Sequence, residues 1–388
     1  MIGLVKSTFY KERDTKRKLV DFILKSDFLS MGKETKKFEK NFAKAQKRKY
    51  AVFVNSGSSA NLVLLQSLVN LSRLKRGDKI GISALTWATN IMPAIQLGLK
   101  PIVIDCEIET LNVSSKTLKK AINKLDALFL TNVLGFCHDI DNIKRLCQEK
   151  SVLLIEDNCE SLGSRVNKTL LGNFGLASTF SFFVGHHLST IEGGMICTDD
   201  EELGDMLVMV RAHGWDRNLP RHKKEALRTL HNVPEFLTKY CFYDLGYNFR
   251  PTDINGFLGN NQLAYLNKMI AQREKNFKKW QSAINQNQEL YPIKTTHMST
   301  VSNFAMPIIV RKPELFKKYQ KKFIDNDVEI RPVIAGNITE HPFYKKHVGI
   351  NRRRYKNADY IHKYGFYFGN NAELTNAEVN LIRSLLQK

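Results

Sequence analysis

The feature that most constrains the fold is the alternation of short apolar segments with helix-forming segments between residues 79 and 156. Alternation at this spacing is typical of a mostly parallel sheet covered by helices on both faces, so the expected fold class is α/β. The predicted strands span residues 79–83, 101–105, 127–131 and 152–156, and the predicted helices span residues 87–97, 115–123 and 140–150.

The rest of the chain carries mainly helical patterns. Residues 1–49 are predicted to be helical, with Phe38 and Phe42 at helical spacing, and residues 198–246 are helical and strongly charged. We expect a large domain, residues 1–265, and a smaller C-terminal domain, residues 266–388. A helix over residues 254–265 is predicted at the end of the large domain, and a long helix over residues 271–284 links it to the smaller domain. The smaller domain is predicted to hold strands over residues 302–310 and 327–332 and a final helix over residues 376–387.

Three apolar strands are followed directly by small or polar residues. The first leads into Ser-Gly-Ser-Ser at residues 56–59, the second into Glu-Asp at residues 156–157, and the third into His-His at residues 186–187, before Glu-Gly-Gly at residues 192–194. Ligands of open α/β sheets bind at the carboxyl ends of the strands. These three strand exits are therefore the candidate binding site.

Each exit suits a different part of a ligand. A small-residue turn before a helix exposes backbone N–H groups that favour a dianion, although residues 56–59 also fit an ordinary capped helix start. Asp157 ends a buried strand, where a carboxylate is costly unless it is paired. A cationic ligand atom would be such a partner, and a structural hydrogen-bonded role is the alternative.

Taken together, the three stretches resemble the DegT/DnrJ/StrS family of nucleotide-sugar aminotransferases, which are fold type I pyridoxal-phosphate enzymes. That resemblance covers nearly the whole chain. It implies an aspartate-aminotransferase-like fold with a mixed, mostly parallel sheet and a smaller C-terminal α+β domain. The family usually places a lysine, which binds the cofactor covalently, where this chain has His186; His187 matches the family's ordinary histidine.

The resemblance also implies a set of cofactor contacts. Trp87 would stack on the pyridine ring, Asp157 would pair with its nitrogen, and Glu160 would lie near its hydroxyl group. Without the resemblance, Trp87 would fit a core aromatic and Asn248 a turn residue. The phosphate would lie on Gly57, Ser58 and Ser181, with Asn248 reaching it from the neighbouring subunit of a homodimer.

A histidine at position 186 changes the expected chemistry. An imidazole has no primary amine, so the cofactor must be held noncovalently, most usefully as pyridoxamine 5'-phosphate. A neutral histidine is a good general base. A subgroup of the family, the 3-dehydratases of 3,6-dideoxysugar (lipopolysaccharide O-antigen) synthesis, makes this replacement. It implies 3-dehydration of a nucleotide-linked 4-keto-6-deoxy sugar, with GDP favoured and L-glutamate restoring the amine.

Four further residues are candidates for binding the substrate's carboxylate or phosphate groups: His213, Arg217, Arg250 and Arg331. The formal net charge of +21 suits an anionic nucleotide diphosphate and also raises nucleic-acid binding as a rival. Since the basic residues are spread along the chain without a nucleic-acid-binding motif, we expect no nucleic-acid partner. An aminotransferase with an unusual base, a catalytically silent homologue and a cofactor-binding regulatory protein remain alternatives.

The six cysteines show no C-x-x-C pair and no metal-type spacing, so we expect no metal site. A CDP-sugar relative in the subgroup holds an iron–sulfur cluster on four cysteines of its C-terminal half. Only Cys197 and Cys241 lie there in this chain, and we expect no such cluster. No basic–apolar leader opens the sequence and no apolar run reaches the ~20 residues of a membrane helix, so a cytoplasmic protein without membrane contact is expected.

Overall fold

The computed structural model describes residues 1–350 and 354–388. Its strands are β1 (Tyr50–Val54), β2 (Lys79–Ser83), β3 (Lys100–Ile104), β4 (Ala127–Thr131), β5 (Leu153–Asp157), β6 (Arg165–Val166), β7 (Thr169–Leu170), β8 (Ala177–Ser181), β9 (Gly194–Thr198), β10 (Met298–Thr300), β11 (Ala305–Ile309), β12 (Ile330–Pro332) and β13 (Gly365–Gly369).

The helices cover the sheet and form most of the remaining structure. They are α1 (Glu12–Lys25), α2 (Lys33–Gln46), α3 (Gly57–Asn70), α4 (Ala88–Gln96), α5 (Ser115–Lys119), α6 (Ile140–Glu149), α7 (Glu201–Val210), α8 (Arg221–Leu230), α9 (Asp253–Leu263), α10 (Leu266–Gln286), α11 (Leu315–Ile324), α12 (Pro342–His347), α13 (Lys356–Tyr364) and α14 (Asn376–Leu386).

The central sheet has seven strands in the order β1-β9-β8-β5-β4-β2-β3. β9 pairs antiparallel with β1 and β8, whereas the pairs from β8 to β3 are all parallel. This mixed, mostly parallel sheet confirms the predicted α/β class. The strands that run in the same direction end at one edge of the sheet, and that edge collects the three predicted strand exits.

The N-terminal helix α2 packs on one face of the sheet through aromatic side chains. Phe38 and Phe42 are fully buried and contact the rings of Phe53, Phe180 and Phe182 at centroid distances of 4.9 to 5.2 Å. The predicted helical spacing of the two phenylalanines is therefore confirmed. Aromatic pairs at this distance stabilise a core beyond the area they bury.

The C-terminal part contains an antiparallel sheet in the order β11-β13-β12, beside the long helix α10. The predicted strands there are shorter than expected, and β13, α11, α12 and α13 were not predicted. Ile2 forms a bridge with Val328, so the first residues of the chain lie against this C-terminal sheet. The division into domains at residues 265 and 266 stays a prediction.

Residues 198–246 are only partly helical, as α7 and α8 flank a turn that includes Asp216 and Arg217. No helix within residues 1–350 and 354–388 is long and apolar enough to cross a bilayer.

Candidate active site

A cavity of about 410 Å³ opens at the carboxyl edge of the central sheet. Residues at the ends of β4, β5 and β8, and residues that follow β1, β2, β5 and β8, line it, and the C-terminal sheet closes it from the other side. The three strand exits identified in the sequence thus meet in one place. Lining residues include Ser58, Trp87, Asp157, His186 and Arg331.

The first turn of α3 forms an anion-binding corner of the cavity. Ser56 caps the helix by accepting a 3.0 Å hydrogen bond from the Ser59 N–H, while the Gly57 and Ser58 N–H groups have no intrahelical acceptor. A Cβ atom on Gly57 would lie 2.7 Å from Cβ of Ser181. Glycine therefore allows Ser181 on β8 to approach the helix terminus, where two N–H groups and a hydroxyl suit a phosphate.

Asp157 lies at the end of β5 and is 4% exposed. Its Oδ2 accepts hydrogen bonds from the amides of Asn61 (3.0 Å) and Asn90 (2.6 Å), and its Oδ1 accepts one from the Cys159 N–H (2.9 Å). No cationic side chain among the described residues forms an ion pair with it. A buried carboxylate held by neutral donors beside a cavity suits a protonated ring nitrogen.

Glu160 lines the same cavity and is almost fully buried. Burial raises the pKa of its carboxyl group to about 8, and the neighbouring charge of Asp157 adds to this, while a 2.8 Å hydrogen bond from the Leu134 N–H acts in the opposite direction. The carboxyl group is therefore largely protonated at neutral pH. A protonated carboxyl group can donate a hydrogen bond to a ligand oxygen.

Trp87 precedes α4 and lines the cavity with 53% of its surface exposed. This exposure excludes the alternative that Trp87 is a core aromatic. An indole ring open to a cavity can stack on a planar ligand.

The two adjacent histidines have different positions. His186 lines the cavity, with its ring 5.1 Å from Phe304 and 5.8 Å from Phe183 between centroids. Burial lowers the pKa of His186 to about 4, and its Nδ1 is buried without a hydrogen-bond partner among the described residues. His187 points away from the cavity, and its Nε2 lies 2.8 Å from the Ser302 carbonyl oxygen. His186 is thus the histidine available for chemistry.

The structure brings together eight of the predicted residues and leaves four outside the cavity. Those that line it are Gly57, Ser58, Trp87, Asp157, Glu160, Ser181, His186 and Arg331. Arg331 forms a 2.7 Å ion pair with Glu329 at the cavity wall.

The predicted residues outside this chain's cavity are His213, Arg217, Asn248 and Arg250. All four are exposed. The Arg217 guanidinium lies 5.0 Å from the Trp215 ring centroid, and Arg250 donates a 2.9 Å hydrogen bond to Asn248. In the described chain these four side chains do not contribute to the cavity.

Sequence reasoning missed several cavity residues. Asn61 and Asn90 hold Asp157, and each lies in the first turn or two of a helix that follows a strand, which is the signal that could have found them. Phe304, Tyr367 and the N-terminal Leu4 also line the cavity. They come from distant parts of the chain, and no local pattern marks them.

The cavity therefore offers an anion site, a buried carboxylate without a cation, and an open aromatic ring. These three features fit the phosphate, ring nitrogen and ring face of pyridoxal phosphate.

Comparison with known proteins agrees with this chemistry. Residues 11–387 match the model of the DegT/DnrJ/EryC1/StrS aminotransferase family, and the chain belongs to that family. Within it, the chain is similar to GDP-4-keto-6-deoxy-D-mannose 3-dehydratase from Escherichia coli O55:H7, with 34% identity over 378 residues that cover 96% of this chain and 97% of the relative. The enzyme of the same name from Yersinia pseudotuberculosis is 34% identical over 94% of both chains.

Solved structures show the same likeness. GDP-4-keto-6-deoxymannose-3-dehydratase with a trapped PLP–glutamate geminal diamine superposes with a TM-score of 0.91 at 32% identity, covering 100% of both chains. A variant of that enzyme with bound GDP-perosamine superposes with a TM-score of 0.92 at 34% identity, again over 100% of both chains. The predicted family and the aminotransferase-like fold are both confirmed.

Proposed function

We propose that this protein removes the C3 hydroxyl group of a nucleotide-linked 4-keto-6-deoxy sugar, with pyridoxamine phosphate as cofactor. The observation that carries the proposal is His186, an imidazole without a primary amine, in a cavity whose other residues suit the cofactor. The 34% identity to two 3-dehydratases over nearly the whole chain supports it.

The chain's own residues would hold the cofactor without a covalent bond. Gly57, Ser58 and Ser181 bind the phosphate, Asp157 pairs with the ring nitrogen, and Trp87 stacks on the ring. Glu160 would donate a hydrogen bond to the ring oxygen, because its carboxyl group, with a pKa of about 8, keeps its proton at neutral pH. When bound, pyridoxamine phosphate supplies an amine that condenses with the sugar's keto group and a ring that accepts electrons.

His186 would act as the general base. Its burial keeps the imidazole unprotonated at neutral pH, so it is ready to accept a proton from the methylene carbon of the cofactor. The rings of Phe183 and Phe304 lie beside it, with centroids at 5.8 and 5.1 Å from the imidazole centroid. Since His186 cannot replace the cofactor's amine, L-glutamate would be the second substrate that restores it.

Arg331 is the predicted substrate-binding residue that lines the cavity, and its guanidinium would bind an anionic group of the substrate. The net charge of +21 favours a nucleotide diphosphate, and the relatives' names favour GDP. The apolar wall formed by Leu4 and Ile334 suits the deoxygenated part of a 6-deoxy sugar.

In a homodimer, Asn248 and Arg250 of one subunit would lie close to the cavity of the other. Asn248 is exposed outside the cavity of its own chain, in a segment that also exposes large apolar side chains, which a monomer seldom does. A second copy covering this segment would bury them and could present Asn248 and Arg250 to the neighbouring cavity. The exposed apolar residues are Leu230, Phe236, Leu237, Tyr240, Phe242 and Leu245.

Product analysis tests the proposal. Incubated with a GDP-linked 4-keto-6-deoxyhexose, pyridoxamine phosphate and L-glutamate, the protein should release a 3-deoxy-4-keto sugar, ammonia and 2-oxoglutarate in equal amounts. An aminotransferase would instead return a 4-amino sugar with its C3 hydroxyl kept, and mass spectrometry separates the two. We also propose that no iron–sulfur cluster takes part, so iron analysis of the active protein should give a blank value.

A further inference from the structure

A buried arginine lies directly behind the turn that carries the two histidines. Arg273 on α10 is 5% exposed. Its Nη1 donates a 2.9 Å hydrogen bond to the His187 carbonyl oxygen, its Nη2 lies 3.5 Å from the His186 carbonyl oxygen, and its Nε donates a 3.2 Å bond to the Asn370 carbonyl oxygen. One guanidinium thus connects the histidine turn, α10 and the end of β13.

This cation has no carboxylate to pair with among the described residues. Burial lowers its pKa from the usual value to about 10, because the charged guanidinium is removed from water. A buried charge without a counter-ion destabilises a fold more than an apolar side chain of the same size would. Its five donors in a fixed plane are suited to holding several carbonyl groups at once.

Three buried asparagines around Arg273 form further hydrogen bonds that hold α10 against the end of β13. Asn370 donates hydrogen bonds of 3.0 Å to the Arg273 carbonyl oxygen and 2.9 Å to the side chain of Asn303. Asn276, one turn further along α10, donates a 3.1 Å bond to Asn370. All three asparagines are at most 1% exposed. Asn370, whose carbonyl oxygen accepts from the guanidinium, is therefore itself held by buried hydrogen bonds.

The orientation of His186 depends on this turn. The Nδ1 of its ring is buried and has no hydrogen-bond partner among the described residues, so no acceptor or donor aligns the ring through that atom. The backbone of residues 183–187 and two aromatic contacts set where the imidazole lies. A displacement of about 1 Å at a reacting group can cost about 100-fold in rate.

We propose that Arg273 is a positioning residue for His186, holding the histidine turn through its backbone carbonyl groups. This inference rests on the proposed function of His186 as the base. Arg273 does not line the main cavity, so its effect would be on turnover and not on binding of sugar or cofactor.

The first test replaces Arg273 in the full-length protein. Arg273→Met should lower kcat by about 100-fold, and Arg273→Lys, which keeps the charge but loses the fork, by about 10-fold, with KM for the sugar within about 3-fold. The control is Arg48→Met. The Arg48 side chain is also buried and donates to the carbonyl oxygens of Gly172 and Gly175, remote from the cavity, although it also pairs with Asp199. The kcat of this variant should stay within about 2-fold of the parent.

A second measurement is independent of the dehydration. In His186→Lys protein, borohydride should fix pyridoxal phosphate to position 186, and the rate of fixation reports where that side chain lies. Adding Arg273→Lys should slow the fixation by about 10-fold. If Arg273→Met does not fold, comparing His186→Lys with the double variant His186→Lys, Arg273→Lys still tests whether Arg273 positions residue 186.

The outcomes of these experiments distinguish failure of the proposed cofactor site from failure of the positioning role of Arg273. No fixation in His186→Lys alone would contradict the proposed cofactor site itself. Fixation that Arg273→Lys leaves unchanged, or an Arg273→Lys protein whose kcat equals that of the parent, would overturn the positioning role while leaving the proposed function standing.

Discussion

The side chain of Asn90 donates a 2.6 Å hydrogen bond to Oδ2 of Asp157 and so joins the start of α4 to the end of β5. Trp87 lies three residues before Asn90, at the N-terminus of the same helix. This hydrogen bond therefore ties the helix start that carries the exposed indole ring to the buried carboxylate. Under the proposed function these two groups hold the face and the nitrogen of one pyridine ring.

Replacing Asp157 by asparagine should remove the charge that pairs with the ring nitrogen while keeping the side chain's shape. We expect kcat to fall by at least about 100-fold, because a preorganised electrostatic partner is lost. Steady-state kinetics would measure this. Asp325→Asn, which removes one partner of an exposed helix ion pair, is the control and should leave kcat unchanged.

The native protein should not be fixed to pyridoxal phosphate by borohydride, whereas His186→Lys should be, on a peptide within residues 181–200. The same variant should dehydrate far more slowly, since an amine replaces the imidazole base. His186→Asn should lose about 100-fold or more in kcat yet still bind the cofactor. A His186→Asn protein with the parent's activity would show that His186 is not the base.

The pH dependence of kcat should follow two groups with shifted pKa values. The pKa of His186, near 4, leaves it unprotonated and active throughout the range above pH 5. The pKa of Glu160, near 8, means that its proton is lost as pH rises through 8, so activity should fall on the alkaline side. Glu160→Gln, a permanently neutral donor, should remove that alkaline decrease.

Glu160 should also make stability depend on pH. Its pKa is raised in the folded state, so the folded protein keeps a proton that the unfolded chain releases above about pH 4.5. Its contribution to the free energy of unfolding should therefore decrease as pH rises from about 4.5 to about 8. Thermal denaturation across this range should show a smaller decrease for Glu160→Gln than for the parent, and equal decreases would contradict the shift.

Gly57→Ala should weaken cofactor binding, because the added Cβ would lie 2.7 Å from Cβ of Ser181 and must push the two strand exits apart. We expect the dissociation constant of pyridoxamine phosphate to rise by at least about 10-fold. Fluorescence titration would measure it. Gly204→Ala in α7, where the nearest atom lies at 3.2 Å in the Tyr50 ring, is a control without effect on cofactor affinity.

The proposed dimer can be tested by mixing two inactive variants. His186→Asn and Asn248→Ala proteins, refolded together, should form mixed dimers in which one cavity has both intact residues. About a quarter of all sites should then be active if subunits pair at random. Sedimentation would report the dimer, and mixtures that stay inactive would show that Asn248 does not reach the neighbouring site.

The sequence predicted those features of the fold and the site that depend on residues close together in the chain. The strand–helix alternation predicted the parallel sheet, and the three strand exits predicted which residues would meet, because parallel strands end at one edge. The identity of residue 186 could be read directly and is the basis of the proposed chemistry. Residues such as Leu4, Phe304 and Tyr367 were missed, since they reach the cavity from segments with no local signal.

By itself, then, the sequence determined the fold class, the family and the chemical groups of the candidate site. The family resemblance had already told the two adjacent histidines apart, and only the tertiary structure decided their surroundings: His186 lines the cavity, whereas Nε2 of His187 lies 2.8 Å from the Ser302 carbonyl oxygen. It also revealed that Asp157 is held by Asn61 and Asn90, and that Arg273 binds the histidine turn from 86 residues away. Such contacts arise from packing between distant segments, which no periodicity along the chain encodes.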